Sequence, residues 1–129
     1  CGLWTCAMKI TIETIPHGDQ RIPGQVGDWV VDNQHILIRV SDTGNWRYNA
    51  AIGIHEAVEA ILCLNDGVSQ EDVDKFDIKY AKYLSNEAGD SAQAPYHQQH
   101  CFATAVERML IAALNVAWFD YDRDVESLP

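Results

Sequence analysis

One segment constrains this chain more than any other. Residues 50–64 read Ala-Ala-Ile-Gly-Ile-His-Glu-Ala-Val-Glu-Ala-Ile-Leu-Cys-Leu, and only His55, Glu56 and Glu59 among them are polar. A surface helix carries a broad polar face. This one is apolar nearly all round, so the segment predicts a buried helix. At about 100° per residue, Glu59 falls about 40° from His55 and Glu56 about 100° from it, which puts all three on one side. Two carboxylates buried there need compensation, and a divalent cation supplies it while also accounting for the histidine.

His and Glu at i and i+4 point the same way, one turn apart, close enough to share an ion. On that geometry His55 and Glu59 are metal ligands, and Glu56 sits beside the ion as the general base for a water nucleophile. The plainer alternative leaves the three residues at a partly exposed helix end, in water or paired with arginine. His55-Glu56-x-x-Glu59 resembles the His-Glu-x-x-His helix of zinc metallopeptidases, with Glu59 where the second histidine stands.

A later helix offers a closing ligand. Pro95 suits a first helical turn, and the pattern predicts a helix from there to about Trp118. His100 and Glu107 lie seven residues apart, about 20° out of register on one face, with His97 in the same broad stripe. His100 is then the third ligand, with His97 as the alternative, and Glu107 is a fourth ligand or a group that orients one. Phe102, Val106, Met109, Leu110 and Ala113 fall on the opposite side, which predicts that they pack in the core. The competing reading of the histidine face is a solvated polar stripe. Asp90 is close enough in the chain to reach the site, although its spacing does not require it. His17 and His35 fall in turns and receive no role.

The rest of the chain sets these helices in an α+β domain. Met8-Lys9-Ile10-Thr11-Ile12-Glu13 alternates at period two and predicts a strand closed by Pro16-His17-Gly18-Asp19. Trp29–Val31 and Ile36–Val40 flank Asp32-Asn33-Gln34-His35, which predicts a hairpin. Asn65-Asp66-Gly67 is a glycine stop for the first helix. Ser69 with Asp72 opens a second helix on Val73, Phe76, Tyr80 and Leu84. Ser85 to Ala94 reads as a loop. The expected architecture is a small antiparallel sheet followed by three helices, zincin-like in its order of sheet, metal-binding helix and later ligand-bearing helix. Domain boundaries follow: 1–7 a leader foreign to the domain, 8–119 the domain, and 120–129 an acidic tail that frays. Met8 is the expected natural start, and residues 1–7 an extension, with a lipidated amino-terminal cysteine as the alternative.

Charge narrows the function. Nine Lys+Arg stand against 19 Asp+Glu, a net −10. A basic stripe for phosphate is therefore not available, which argues against nucleic acid as partner and against an anionic membrane surface. No run of about 18 apolar residues spans a bilayer. Cys63 and Cys101 lie in helix-like apolar surroundings and are expected to be buried as small hydrophobes. Free thiols of that kind suit the cytoplasm. Trp29, Trp46, Tyr48 and Trp118 are expected to fill the core or to form an aromatic contact surface.

Ile15-Pro16-His17, Val26-Gly27-Asp28-Trp29, Arg39-Val40-Ser41-Asp42 and Trp46-Arg47-Tyr48 carry a broader likeness. So do His55-Glu56-x-x-Glu59-Ala60, Val73-Asp74-x-Phe76-Asp77, Gly89-Asp90, Ala94-Pro95-Tyr96, His100 and Glu107. On these residues, from Met8 to about Tyr121, the chain resembles a group of small proteins encoded by tailed phages and prophages. The resemblance implies one domain and, for a phage-encoded chain, the host cytoplasm. It brings no established activity.

Three functions are weighed. The first is a zinc-dependent hydrolase of peptidase type, acting on a peptide or small molecule, with His55, Glu59 and His100 on zinc and Glu56 as base. The second is a magnesium-dependent nucleotide pyrophosphohydrolase using Glu56-x-x-Glu59 and Glu71-x-x-Asp74, whose oxygen ligands suit magnesium. The third is a non-enzymatic phage accessory protein with a structural His/Glu cluster.

Overall fold

A computed structural model describes residues 7–81 and 87–129, so the leader 1–6 and Leu84 lie outside the described residues. The fold is α+β. Strands β1 (Lys9–Ile15), β2 (Gly27–Asp32) and β3 (His35–Ser41) precede helices α1 (Trp46–Asp66), α2 (Gln70–Tyr80), α3 (His97–Ala113) and α4 (Trp118–Glu126). Short 3₁₀ turns at His17–Asp19 and Ala88–Asp90 interrupt the connections.

The sheet is mixed rather than antiparallel. Its order is β1-β3-β2, with β2 and β3 antiparallel and β1 parallel to β3. Period-two alternation fixes which face of a strand is buried, not the direction of its partner, so the pattern of β1 left its pairing open. The β2–β3 hairpin forms as expected. Asn33 and Gln34 supply its two positive φ angles, 46° and 66°, as a two-residue turn of the type that matches strand twist requires.

Helix α1 covers one face of this sheet. Ile36, Ile38 and Val40 from β3, Trp29 from β2, and Ala51, Ile52 and Ala60 from α1 belong to one buried core. The approach is close at Gly53, where an added Cβ would come within 2.7 Å of Ile12 Cγ2. Asn45 caps the helix by accepting from the Arg47 N–H at 3.0 Å, so α1 starts a turn before Ala50. Trp46 and Arg47 break the apolar pattern because they lie on its exposed first turn. The stop falls where glycine predicted it: Gly67 has φ 74° and its N–H returns to Cys63 O. Ser69 caps α2 by accepting from Asp72 N at 3.1 Å.

The end of the chain departs from expectation. The expected third helix divides into two at Asn115, which adopts φ 60°, the left-handed conformation that asparagine tolerates better than most residues. Past the break, α4 turns away by 116°. The tail expected to fray from residue 120 is helical to Glu126, and Tyr121 on it is buried. It docks through Tyr48, whose hydroxyl donates to Asp124 at 2.7 Å and whose ring meets Tyr121 edge-on at 5.2 Å.

The faces of α3 are also largely reversed from expectation, although Leu110 packs against the core as expected. Its buried residues are Gln99, His100, Ala103 and Ile111, whereas Phe102 is 59% and Met109 65% exposed and Ala113 is exposed too. The helix packs against α1, so its histidine stripe meets the polar arc of α1, which decides the orientation. Cys63 is buried as expected, but Cys101 is exposed. Of the aromatic residues, Trp29 and Tyr48 are core, Trp118 packs against it, and Trp46 is exposed. No single helix among the described residues is long and apolar enough to cross a membrane.

Candidate metal centre

Helices α1 and α3 bring His55, Glu59 and His100 together, each about 5% exposed. Glu59 Oε2 lies 3.2 Å from His55 Nε2 and 3.1 Å from His100 Nδ1. The two imidazoles meet edge to face with centroids 4.8 Å apart. Nε2 of His55, Nδ1 of His100 and one Glu59 oxygen are thus mutually close enough to hold a single ion. Two nitrogens and one oxygen are a donor set that zinc accepts.

Each of the three residues is braced on the atom facing away. His55 Nδ1 donates to Glu107 Oε1 at 2.8 Å. His100 Nε2 donates to Asp90 Oδ1 at 2.9 Å. The Trp29 indole N–H donates to the other Glu59 oxygen, Oε1, at 3.0 Å. Glu107 is held in turn by the Tyr121 hydroxyl, which donates to its Oε2. Glu107 therefore orients His55 rather than joining the convergent atoms. His97, the alternative third ligand, points elsewhere: its Nδ1 donates to Gly89 O at 2.8 Å, and its Nε2 lies 3.5 Å from Cys101 Sγ.

Two glycines let the backbone come close. A Cβ on Gly89 would fall 2.4 Å from His100 Cγ, and one on Gly27 would fall 2.7 Å from Glu56 Cγ. The His100 ring therefore lies against the Ala88–Asp90 turn and the Glu56 side chain lies across β2.

The electrostatics follow from this crowding. Burial disfavours the charged form of His55, but hydrogen bonds to Glu107 and Glu59 outweigh it and raise its pKa well above the usual value. The same balance, with Glu59 and Glu87 as partners, raises His100 to about 10. Burial also works against ionised Glu59, yet its two histidines hold it down at about 2. Glu56 shifts the other way, because burial and the nearby Glu59 charge push its carboxyl well above the usual range. Its carboxylate stands 3.8 Å from His55 Nε2, beyond hydrogen-bond reach, and its side chain is 13% exposed.

The cluster forms one wall of a cleft of about 510 Å³ that is also lined by Ile52, Asp28, Thr104, Trp118 and Tyr121. The residues of the magnesium alternative do not join it as a set. Glu71 is exposed and pairs with Lys75 at 3.0 Å, and Asp74 pairs with Arg21 at 2.9 Å. His17 bonds Ser41 at 2.7 Å and His35 bonds Thr11 at 2.8 Å. Trp29, Tyr121 and Thr104 join the site without belonging to its sequence motif. Tyr121 could have been flagged as one aromatic in an acidic stretch, whereas Trp29 and Thr104 carry no local signal. No family model matches the chain, and neither a curated protein nor a solved structure does.

Proposed function

We propose that the protein is a zinc-dependent hydrolase with peptidase-like chemistry. One observation carries this reading: three ligand atoms converge while a different element braces the far atom of each residue. That is how metal-binding histidines and carboxylates are held in proteins. Sheet, motif helix and later ligand helix follow one another as in zincins, which supports the reading at the level of architecture alone.

A bound divalent cation would polarise a carbonyl and favour attack by water. The chain's own groups do the rest. His55, Glu59 and His100 would hold the ion, and Glu107 and Asp90 would keep each ring in the tautomer that frees its inner nitrogen. Glu56, with no hydrogen bond among the described residues, accepts the proton of the attacking water and returns it to the leaving group. Burial raises its pKa, which makes it a stronger base once ionised.

Elemental analysis of untagged protein tests the first half, with an expected zinc content near one per chain. Glu56→Gln tests the second. It should keep the metal and lose turnover of a peptide library by about a hundredfold or more. A folded protein without metal would overturn the reading and favour the accessory-protein alternative. A magnesium requirement with pyrophosphate release from nucleotides would favour the pyrophosphohydrolase.

A further inference from the structure

Ten carboxylic acids line the cleft, and among the described residues no lysine or arginine does. Most of these acids have partners. Glu59, Glu107 and Asp90 face histidines. Asp28 and Asp74 share Arg21, and Asp77 accepts from the Tyr96 hydroxyl. Glu56 serves the attacking water in the function proposed above.

Three acids remain at the mouth, one of them, Glu87, shared with His100. Glu87 comes within 3.4 Å of His100 Nε2 but is 64% exposed. Asp122 and Glu126 are exposed, four residues apart on α4, and have no ion-pair partner among the described residues. Like charges at that spacing repel across one helical turn. A second and independent signal lies deeper. Thr104, four residues after His100, lines the cleft with its hydroxyl oxygen buried and without any hydrogen-bond partner. A buried hydroxyl left unpaired is costly, and a ligand bearing N–H groups would satisfy it.

The missing occupant must therefore bring positive charge to the mouth and hydrogen-bond donors to the interior. We propose that the cleft binds a cationic peptide segment, its ammonium or guanidinium groups held by Glu87, Asp122 and Glu126 and a chain N–H meeting Thr104 Oγ1. Val125 and Leu128 line the same cleft and give the apolar stem of a lysine or arginine a surface to lie on. A nucleotide fits poorly, because its phosphates would enter a cleft of their own sign. The inference names a substrate class for the hydrolase reading and rests on it for the site, but charge recognition does not need the metal.

Fluorescence anisotropy on the full chain, with and without zinc, tests it. Three labelled peptides share one sequence except for flanking lysines, glutamines or glutamates. The lysine peptide should bind about tenfold tighter than the glutamine peptide at low salt, with the preference shrinking as salt rises. The double variant Asp122→Asn/Glu126→Gln should remove most of that preference. Asp32→Asn/Glu71→Gln, which deletes the same charge outside the cleft, should keep it. Thr104→Val should weaken all three peptides alike. Equal binding of the three peptides, or equal effects of the two double variants, would overturn the proposal. Zinc content and turnover measured on the same samples separate the two ideas. A zinc-free, inactive protein that keeps the lysine preference sinks the hydrolase and retains this inference. A zinc-loaded protein that cleaves all three peptides equally and binds them equally does the reverse.

Discussion

Loading the centre with zinc should expel about two protons per ion, even at pH 8. In the metal-free protein every ring nitrogen of His55 and His100 faces a carboxylate. The outer ones meet Glu107 and Asp90, and the inner ones meet Glu59 Oε2. A carboxylate only accepts, so all four nitrogens carry protons and both rings are cationic. Burial opposes that charge and the carboxylates outweigh it, which keeps His55 well above 6.5 and His100 near 10. The sign follows from those raised values. The stabilisation by these rings is complete below about pH 6.5 and is lost as pH climbs through the folded values. Zinc takes neutral imidazole, so Nε2 of His55 and Nδ1 of His100 must each give up a proton to it. Apparent zinc affinity should then rise with pH while the rings stay protonated, about tenfold per pH unit for each proton displaced. Two histidines with ordinary pKa values of about 6.5 are already neutral at pH 8 and would release almost nothing. Calorimetric titration at pH 8 in buffers of different ionisation enthalpy reads the proton count as a slope. A slope of about one proton or less would refute the assignment of both rings as cationic.

Other perturbations probe the supports. Tyr121→Phe removes one hydroxyl and leaves Glu107 Oε2 short of a donor. It should cost about 1.5–3 kcal/mol in urea unfolding and about 10- to 100-fold in zinc affinity; an unchanged affinity would detach α4 from the centre. Gly89→Ala drives a methyl into the His100 ring, at an expected cost of about 1–3 kcal/mol and with weakened zinc binding. Gly18→Ala, with nothing within 4 Å of its added Cβ, should be neutral in the same assays. Asp77 is pushed up to about 6 by burial, against hydrogen bonds from Tyr96 and Gln25. A raised acid contributes stability below its unfolded pKa and loses it as pH rises through the folded one. Asp77→Asn keeps an acceptor for Tyr96 and sheds that penalty. Its stability relative to the parent should improve by up to about 3 kcal/mol between pH 4 and pH 7.5, and a difference that stays flat with pH would refute the buried-charge account.

How far the sequence carried depended on where each signal lay. The polar arc on α1 was legible because three polar residues in an apolar helix have few places to go, and the structure buries His55 and Glu59 together. Caps at Ser69 and Gly67 were legible because each is a short-range hydrogen bond between neighbours in the chain. The pairing of β1 was not, since strand direction depends on a contact with β3, 26 residues away. For α3 the period is legible, but of the residues it puts inward Leu110 packs against the core while Phe102, Met109 and Ala113 are exposed. Phe102 and Met109 face outward because the surface of α1 that α3 meets carries His55 and Glu59, which are partnered by Glu107 and His100. The helix break at Asn115 carried a readable sign in the asparagine. The continuing run Leu110, Ile111, Leu114, Val116 and Trp118 hid it.

The cluster is a poor way to make this fold stable. Burying an ion-paired network gains little over apolar packing of the same volume, because desolvation offsets the Coulomb attraction. The surroundings make the comparison concrete: α1 supplies Ala51, Ile52, Ala60 and Cys63 beside these residues, and α3 supplies Ala103 and Ile111. Leucine or methionine at positions 55, 59 and 100 would extend that core without any need for Glu107, Asp90, Trp29 and Tyr121 to serve as partners. Instead four segments, β2, the 3₁₀ turn, α3 and α4, each commit a polar group to hold the three side chains in place. Two protons on the inner nitrogens carry the same charge as one divalent ion. The pocket can therefore exchange the one for the other with no net change in buried charge. A stabilising core has no use for that equivalence, whereas it suits the proposed site, which would load a metal after folding.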